Sequence, residues 1–295
     1  MTNASVEDGS LPPEWFTRAL AAPCESNYVD AGGTAIHYLS WNAHETHKPG
    51  LVFAHGFRAH ARWWSFIAPF FVERFRVVSM DFGGMGDSGG RSEYTPENYA
   101  RDIVGVIEHA KFDRPTLVGH SFGGGRVLQA CAEHPGHVGR AVVIDSQLKL
   151  HDGESRIRES ELRAKKIYPT HEAARARFRL IPPQNRAASY VLNYVGEHSI
   201  KRVDAGWTWK FDDSSPRLNL GANVSSMLAR IVTPVSFVYG DDSAIVSHQH
   251  AQEIVSHIPN CRGPIAIPES HHHVMLDQPL SLVAALRAIF YRCSN

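Results

Sequence analysis

The sequence predicts an α/β fold, in which a mostly parallel, eight-stranded sheet is covered by helices on both faces. Short apolar or β-branched runs alternate with stretches of helical periodicity, and 295 residues are enough to bury a large core. Between residues 147 and 222 the strand rhythm stops and charged helical stretches take over. We therefore expect residues 1–146 and 223–295 to form one core, with residues 147–222 inserted as a helical cap.

Eight strands are predicted from apolar or β-branched runs that lie between turn-forming residues. The first two are expected to form an antiparallel hairpin that turns at Gly32 and Gly33. The predicted strands lie near Ser26–Asp30, Ala35–Trp41, Leu51–His55, Phe75–Asp81, Thr116–Ser121, Ala141–Asp145, Val235–Gly240 and Gly263–Pro268.

Helices are predicted between most of these strands. The start of one is well marked, because Thr95 provides an N-cap, Pro96 suits the first helical position and Glu97 is an early acid. Core helices are predicted near Ala61–Glu73, Pro96–Ala110, Phe122–Glu133, His248–His257 and Leu280–Tyr291, and cap helices near Ser155–Lys166 and His171–Arg179.

Composition narrows the class of partner. Lysine plus arginine equals aspartate plus glutamate at 30 each, so no excess of basic charge indicates nucleic acid or an anionic membrane surface. The chain has neither a leader-like start nor an apolar run near the roughly 20 residues of a membrane span. The 4 cysteines lack paired spacing, which argues against a disulfide framework or a zinc site. We expect a cytoplasmic protein that acts on a small molecule, and the oligomeric state stays open.

The motif Gly119-His120-Ser121-Phe122-Gly123 joins a predicted strand to a predicted helix. Glycines two residues away on each side suit a sharp turn, because larger side chains would collide there. The motif nominates Ser121 as a covalent nucleophile. A serine hydroxyl is a poor nucleophile until a base takes its proton, so a histidine and an orienting acid should accompany it.

The chain resembles the α/β-hydrolase family over essentially residues 27–292. The resemblance rests on the His55-Gly56 loop, the glycine-flanked serine, the inserted cap and a late histidine. In that family the catalytic histidine precedes a short apolar stretch that ends in an acid-x-proline element. Here that pattern assigns the base to His272, through Asp277-Gln278-Pro279.

The resemblance also implies an oxyanion hole and a substrate pocket. Two backbone N–H groups must hold the oxyanion of acyl transfer, and the family pattern assigns them to Phe57 and Phe122. Arg58 is a candidate for steering an anionic substrate, with simple solvation as its alternative. Trp207 and Trp209 are candidates for lining the pocket, with seating of the cap on the core as theirs.

Two places in this fold can supply the acid. In many relatives a carboxylate follows the seventh strand, but here Ser243 stands at the expected position, next to Asp241 and Asp242. In the haloalkane-dehalogenase branch the acid follows the sixth strand, where this chain has Asp145 directly after four apolar residues. That position lies at the carboxyl edge of the sheet, where sites in open α/β folds gather. Asp145 is the expected acid, with Asp242 and Asp241 as alternatives.

Two patterns resemble a cofactor site and a metal site. Residues 84–89 satisfy GxGxxG, but the next helix cap is Thr95, so the third glycine cannot aim a helix N-terminus at a pyrophosphate. His271, His272 and His273 are adjacent, but neighbours in sequence rarely converge on one ion. We expect no cofactor and no metal, and His271 and His273 are interpreted as structural or pocket-lining.

Serine at the elbow weighs against haloalkane-dehalogenase and epoxide-hydrolase chemistry, because those relatives attack with an aspartate. The predicted activity is that of a carboxylesterase-like serine hydrolase, which cleaves an ester or lactone of a small, largely apolar substrate through an acyl-enzyme. A carbon–carbon bond hydrolase of a β-diketone-like substrate and a cofactor-free perhydrolase or haloperoxidase are alternatives. A ligand-binding protein on a hydrolase scaffold is the alternative outside catalysis.

Overall fold

A computed structural model of the protein describes residues 11–152, 166–213 and 223–291. The strands in these ranges are β1 (Glu25–Asp30), β2 (Ala35–Trp41), β3 (Gly50–Ala54), β4 (Arg76–Met80), β5 (Thr116–His120), β6 (Arg140–Ile144), β7 (Ile200–Val203), β8 (Gly206–Trp209), β9 (Val235–Gly240) and β10 (Cys261–Ile267). An eight-stranded sheet has the order β1-β2-β4-β3-β5-β6-β9-β10. Its β1–β2 and β2–β4 pairs are antiparallel and the others parallel, so the predicted, mostly parallel sheet is confirmed.

The central strands are apolar because helices cover both faces of the sheet. Every residue of β3 and β4 is buried, as expected for parallel strands inside an α/β fold. Alternate residues of β4 face opposite ways, so Val78 packs into the core on one face and Val77 into the core on the other. At the edge, the β1–β2 hairpin turns at Gly32 and Gly33, which have φ of 65° and 84°, as predicted.

The α-helices of the described ranges are α1 (Glu14–Leu20), α2 (Pro96–His109), α3 (Phe122–Glu133), α4 (His171–Arg175), α5 (Ser189–Glu197), α6 (Ser225–Leu228), α7 (His248–His257), α8 (Val274–Asp277) and α9 (Pro279–Phe290). Helices α2, α3 and α7 cover one face of the sheet, and α1, α5, α8 and α9 contribute to the core on the other. The predicted cap of α2 is present, since the Asn98 N–H donates to Thr95 Oγ1 at 3.1 Å. No helix in these ranges is long and apolar enough to cross a bilayer.

The helix predicted over Ala61–Glu73 is instead two short 3-10 turns, Ala61–Trp64 and Ala68–Phe71. Pro69 lies in the second turn and has no N–H to donate to the preceding one, so a single continuous helix is interrupted there. The backbone of Ala61 is also held from outside, because its N–H donates to Asp81 and its carbonyl accepts from Ser79. The apolar pattern therefore predicted burial correctly and helix type wrongly.

The described residues between β6 and β9 differ from the prediction, and they include helix α5, which was not predicted. The antiparallel β7–β8 hairpin follows α5, and sequence analysis missed it. The helix predicted over His171–Arg179 ends at Arg175, while the one predicted over Ser155–Lys166 lies outside the described residues except for Lys166, which is not helical. The division into core and cap at residues 147 and 222 stays a prediction.

Candidate active site

Ser121 occupies a sharp turn between β5 and α3. Its backbone has φ 52° and ψ −117°, a conformation that side-chain-bearing residues rarely adopt and that costs strain energy. A Cβ on Gly119 would lie 2.5 Å from the Gly123 carbonyl oxygen, and one on Gly123 would lie 2.5 Å from the His55 carbonyl oxygen. Both flanking glycines are therefore required by space, as the motif predicted.

A buried carboxylate contacts the late histidine. Asp145 follows β6, is fully buried and accepts a hydrogen bond at 2.8 Å from His272 Nδ1 to its Oδ1. The Ser243 hydroxyl donates to the same oxygen at 2.8 Å, and the Gly240 N–H donates to Oδ2 at 2.8 Å. These donors compensate an ionised carboxylate for its loss of water.

The other two candidate acids lie elsewhere. Asp241 accepts a hydrogen bond from the Ser270 N–H at 3.3 Å, and Asp242 pairs with Arg186 at the surface. The structure thus brings Asp145 to His272, and it brings neither Asp241 nor Asp242 there. Ser243 stands where relatives carry the acid, and it supports Asp145 with its hydroxyl.

Ser121 and His272 line the same cavity. Within the described part of the chain, no hydrogen bond joins the Ser121 hydroxyl to the His272 ring. Contacts between nucleophile and base are often longer without substrate and tighten when it binds. The turn at Ser121 is stabilised by a hydrogen bond that the Ser146 hydroxyl donates to the Ser121 carbonyl at 2.7 Å.

The proposed oxyanion residues lie side by side. The rings of Phe57 and Phe122 are 5.7 Å apart, and both residues line the cavity. Phe122 is the first residue of α3, and the backbone N–H groups of a helix's first turn have no hydrogen-bond acceptor within the helix. The Phe57 loop is fixed by His55, whose Nδ1 donates to the Gly56 carbonyl at 2.7 Å and whose Nε2 accepts from the backbone of Phe82 at 3.2 Å.

Beneath this loop lies Asp81, which sequence analysis placed only at the end of a predicted strand. Its carboxylate accepts from the Ala61 N–H at 2.6 Å, from the Asp87 N–H at 3.0 Å and from His37 Nδ1 at 2.6 Å. Burial alone would raise the pKa of Asp81, but the hydrogen bond from His37, the charges of nearby histidines and the Asp87 N–H together lower it. The carboxylate ties the loop after β3 to the turn after β4.

The cavity has a volume of about 490 Å³ and is walled by residues from both the core and the segment between β6 and β9. Arg58 and Trp209 line it, and the Arg58 guanidinium stacks over the ring of Phe211 at 4.5 Å. Trp207 does not line it. It lies two residues nearer the hairpin turn than Trp209 and packs on His171 at 4.9 Å.

The three adjacent histidines face different surroundings. His271 Nδ1 lies 2.9 Å from Asp277 Oδ2, which anchors the loop that carries His272. His273 instead lies beside His272, with ring centroids 4.9 Å apart, and both pack against His120. His120 from β5 thus joins this pair in a cluster of three rings that spacing in sequence does not reveal.

Gln184 is a site residue that sequence analysis missed. Its Nε2 donates to Asp277 Oδ1 at 2.7 Å, and its Oε1 accepts from the His273 N–H at 3.0 Å. It thereby connects the segment after α4 to the histidine loop. The partners lie about ninety residues apart in the chain, and no local pattern could have indicated the contact.

A model of the alpha/beta hydrolase family matches residues 51–286, which is well over half of the chain. The chain belongs to the alpha/beta hydrolase family. The hydrolase is 25% identical over 274 residues to an esterase of Mycobacterium tuberculosis, covering 90% of this chain and 89% of that protein. It is 23% identical over 272 residues to a monoacylglycerol lipase of Mycolicibacterium smegmatis, covering 86% and 91%.

Solved structures agree on the architecture. The thioesterase domain from the curacin biosynthetic pathway superposes with a TM-score of 0.74 at 21% identity, over 90% of this chain and 99% of that domain. An esterase of Mycobacterium tuberculosis superposes with a TM-score of 0.70 at 24% identity, over 94% and 95%. At these identities the likeness establishes the fold.

Proposed function

We propose that the hydrolase cleaves a carboxylic ester or lactone of a small, largely apolar substrate through an acyl-enzyme on Ser121. The observation that supports this most strongly is the buried Asp145–His272 pair, which shares one cavity with a serine held at a strained turn. Two relatives matched over most of their length are an esterase and a monoacylglycerol lipase, which favours ester cleavage. A cytoplasmic location belongs to the same proposal.

In the first half of the reaction, His272 Nε2 takes the proton of the Ser121 hydroxyl while its oxygen attacks the substrate carbonyl. Asp145 holds the ring so that Nδ1 carries the hydrogen and Nε2 the lone pair, and it stabilises the imidazolium that forms. The N–H groups of Phe57 and Phe122 hold the tetrahedral oxyanion. Collapse expels the alcohol, which takes its proton from His272, and leaves the acyl group on the serine.

In the second half, the same histidine activates water. His272 takes a proton from the water molecule that attacks the acyl-enzyme, and the N–H groups that held the first oxyanion hold the second. The serine leaves with the proton from His272, and the carboxylic acid departs. Apolar residues such as Trp63, Leu180 and Ile181 line the cavity and favour an acyl or alcohol group without strong hydration needs.

The test is hydrolysis of short p-nitrophenyl esters by the wild-type protein and by Ser121→Ala. We expect kcat/KM to fall by about a thousandfold or more in the variant, because the covalent route is lost. Ser256→Ala, at an exposed serine outside the cavity, is the matched control and should retain wild-type rates. A Ser121→Ala enzyme with more than a tenth of wild-type activity would overturn the proposal, and so would faster cleavage of a β-diketone than of any ester.

A further inference from the structure

Three buried imidazoles meet at one wall of the cavity. His120 lies at the end of β5, while His272 and His273 lie in the loop before α8, and each is at most 6% exposed. One nitrogen from each ring can be chosen so that all three atoms lie within 4.8 Å of one another. All three residues line the cavity.

The hydrogen bonds of His120 leave one nitrogen open. Its Nε2 lies 2.9 Å from the His272 carbonyl oxygen, so the hydrogen resides on Nε2 and the lone pair on Nδ1. That Nδ1 is buried and has no hydrogen-bond partner among the described residues. A buried nitrogen without a partner costs free energy, and the proposed ester chemistry gives it no task.

His273 is even less engaged. Its ring interacts with the Ile181 backbone, but neither buried nitrogen makes a well-formed hydrogen bond within the described ranges. The ring packs edge-on against Trp63 at 5.3 Å, which restricts its orientation. The His273 ring is thus held in position and has a nitrogen that can bind a ligand.

His272 is oriented as metal-bound histidines are. Its Nδ1 donates to the buried carboxylate of Asp145, and this leaves the Nε2 lone pair directed away from the carboxylate. Metal-binding imidazoles almost always donate their second N–H to a carboxylate or a backbone carbonyl. His272 has the first kind of partner and His120 the second.

We infer that His120, His272 and His273 bind a transition-metal ion of the zinc class, and that the bound ion inhibits the hydrolase. Imidazole nitrogen suits Zn²⁺, Co²⁺, Ni²⁺ and Cu²⁺. Zn–N bonds of about 2.1 Å place tetrahedral ligands roughly 3.4 Å apart, so side-chain movements of about an ångström close the site. The cavity side, where Ser121 lies, supplies the fourth position.

Inhibition follows from the identity of one ligand. The lone pair of His272 that would bind the ion is the one that takes the proton of Ser121 in the proposed mechanism. This part rests on the proposed function, whereas metal binding does not. Hard cations such as Mg²⁺ prefer oxygen ligands and should leave the protein active.

Calorimetric titration of ZnCl₂ into chelator-treated Ser121→Ala protein measures binding without turnover. We expect one tight site, and His273→Asn in the same background should weaken it about tenfold or more. CoCl₂ should give the visible absorption of four-coordinate cobalt in Ser121→Ala and lose it in His273→Asn. His273→Gln serves as a second variant, and thermal melting establishes that each variant folds.

The matched control is the double variant His44→Asn/His47→Asn, which removes exposed histidines beside Glu45 and should leave the zinc affinity unchanged. An affinity that is insensitive to both His273 variants, or lost in the surface double variant, overturns the inference. The same holds if wild-type protein shows no zinc binding at all.

Initial rates of ester hydrolysis by the wild type, with ZnCl₂ and then with EDTA, test inhibition. We expect reversible loss of activity at the concentrations that saturate the calorimetric site, and no loss with MgCl₂. Full activity with zinc bound overturns the inhibitory role. Protein that binds zinc but cleaves no ester refutes the proposed function and leaves the metal site standing. Protein that cleaves ester but binds no zinc refutes the metal site and leaves the proposed function standing.

Discussion

At Asp145 the chain leaves β6 in a left-handed conformation, with φ 46°, and so turns its carboxylate along the edge of the sheet. There it meets the imidazole of His272, the hydroxyl of Ser243 and the N–H of Gly240. The carboxylate accepts from all three and donates to none. As an acceptor, the carboxylate fixes the hydrogen of His272 on Nδ1, and it is placed to stabilise an imidazolium.

Asp145→Asn should lower kcat on p-nitrophenyl butyrate by about 10³- to 10⁴-fold, because an amide can hold His272 in the wrong tautomer. Asp242→Asn, which alters an exposed carboxylate paired with Arg186, should change kcat by less than about threefold. A drop in the Asp242 variant that matched the drop in the Asp145 variant would contradict this account of the acid.

The three residues proposed for catalysis could each be nominated from the sequence. Ser121 was indicated by its flanking glycines, His272 by the acid-x-proline element and Asp145 by the apolar strand before it. Gln184 was not predictable, since its contacts cross about ninety residues and depend on how the segment between β6 and β9 lies on the core. Trp207 and Trp209 were both candidates because they are clustered aromatics in the predicted cap, and the sequence alone could not indicate which of them reaches the cavity.

At the level of elements, α3 is fitted to its neighbours by glycines of unequal importance. A Cβ on Gly123 would lie 2.5 Å from the His55 carbonyl oxygen and 2.7 Å from that of Ala54, both of them backbone atoms. A Cβ on Gly125 would meet nothing nearer than a Leu148 methyl at 3.9 Å. The two positions are one helical half-turn apart and provide a matched pair.

Gly123→Ala should lower the free energy of unfolding by about 1–3 kcal/mol, because rigid backbone must move to make room, and should reduce kcat by displacing the Phe57 loop. Gly125→Ala should be neutral or stabilising by up to about 1 kcal/mol, since alanine is the better helix former. Urea unfolding and ester hydrolysis measure both effects. Equal stability of the two variants would refute the packing argument.

Gln184→Ala should reduce kcat about tenfold, while changing the free energy of unfolding by about 1 kcal/mol, because two hydrogen bonds that steady the histidine loop are lost. Gln129→Ala, at a surface position of α3 beside Glu133, is the matched control and should keep wild-type kcat. Steady-state kinetics with urea unfolding separates the two effects. An unchanged kcat in Gln184→Ala would mean that the loop holds its position unaided.

Elements were predictable where one signal dominated. Residues 96–109 carry a cap, a proline at the first position and a clear periodicity, and the predicted helix ends within one residue of the observed one. The run Ala61–Glu73 is apolar on nearly all sides, so its periodicity could not distinguish an α-helix from 3-10 turns. The β7–β8 hairpin is only four residues per strand and packs beside α4, so tertiary contacts rather than propensity stabilise it.

At the scale of the whole molecule, burial disfavours the charged form of several histidines. Burial lowers the pKa values of His55 and His120, and it lowers that of His60 to about 3. The unfolded chain takes up protons on these groups below about pH 6.5, whereas the folded protein does not until much lower pH. The stability that they contribute is therefore complete above pH 6.5 and is lost as pH falls towards the folded pKa values.

The free energy of unfolding should fall between pH 7 and pH 5, and His60→Gln should make that fall smaller by about 2 kcal/mol. The change in the free energy of unfolding with pH is compared, and not its absolute value, because His60→Gln also disturbs hydrogen bonds to Ser199 and the Val195 carbonyl. His44→Asn, at an exposed position, should leave the slope as it is in the wild type. Urea titrations at the two pH values measure it, and an unaltered slope in His60→Gln would contradict the assignment of a neutral buried ring.

If catalysis passes through an acyl group on Ser121, that intermediate can be trapped and located in the chain. Wild-type protein mixed with p-nitrophenyl acetate, quenched in acid within the first turnover and digested should yield the peptide containing Ser121 with one acetyl group attached. The Ser121→Ala protein should yield no acetylated peptide and no burst of p-nitrophenol. Acetylation at another residue with full turnover in Ser121→Ala would contradict the mechanism.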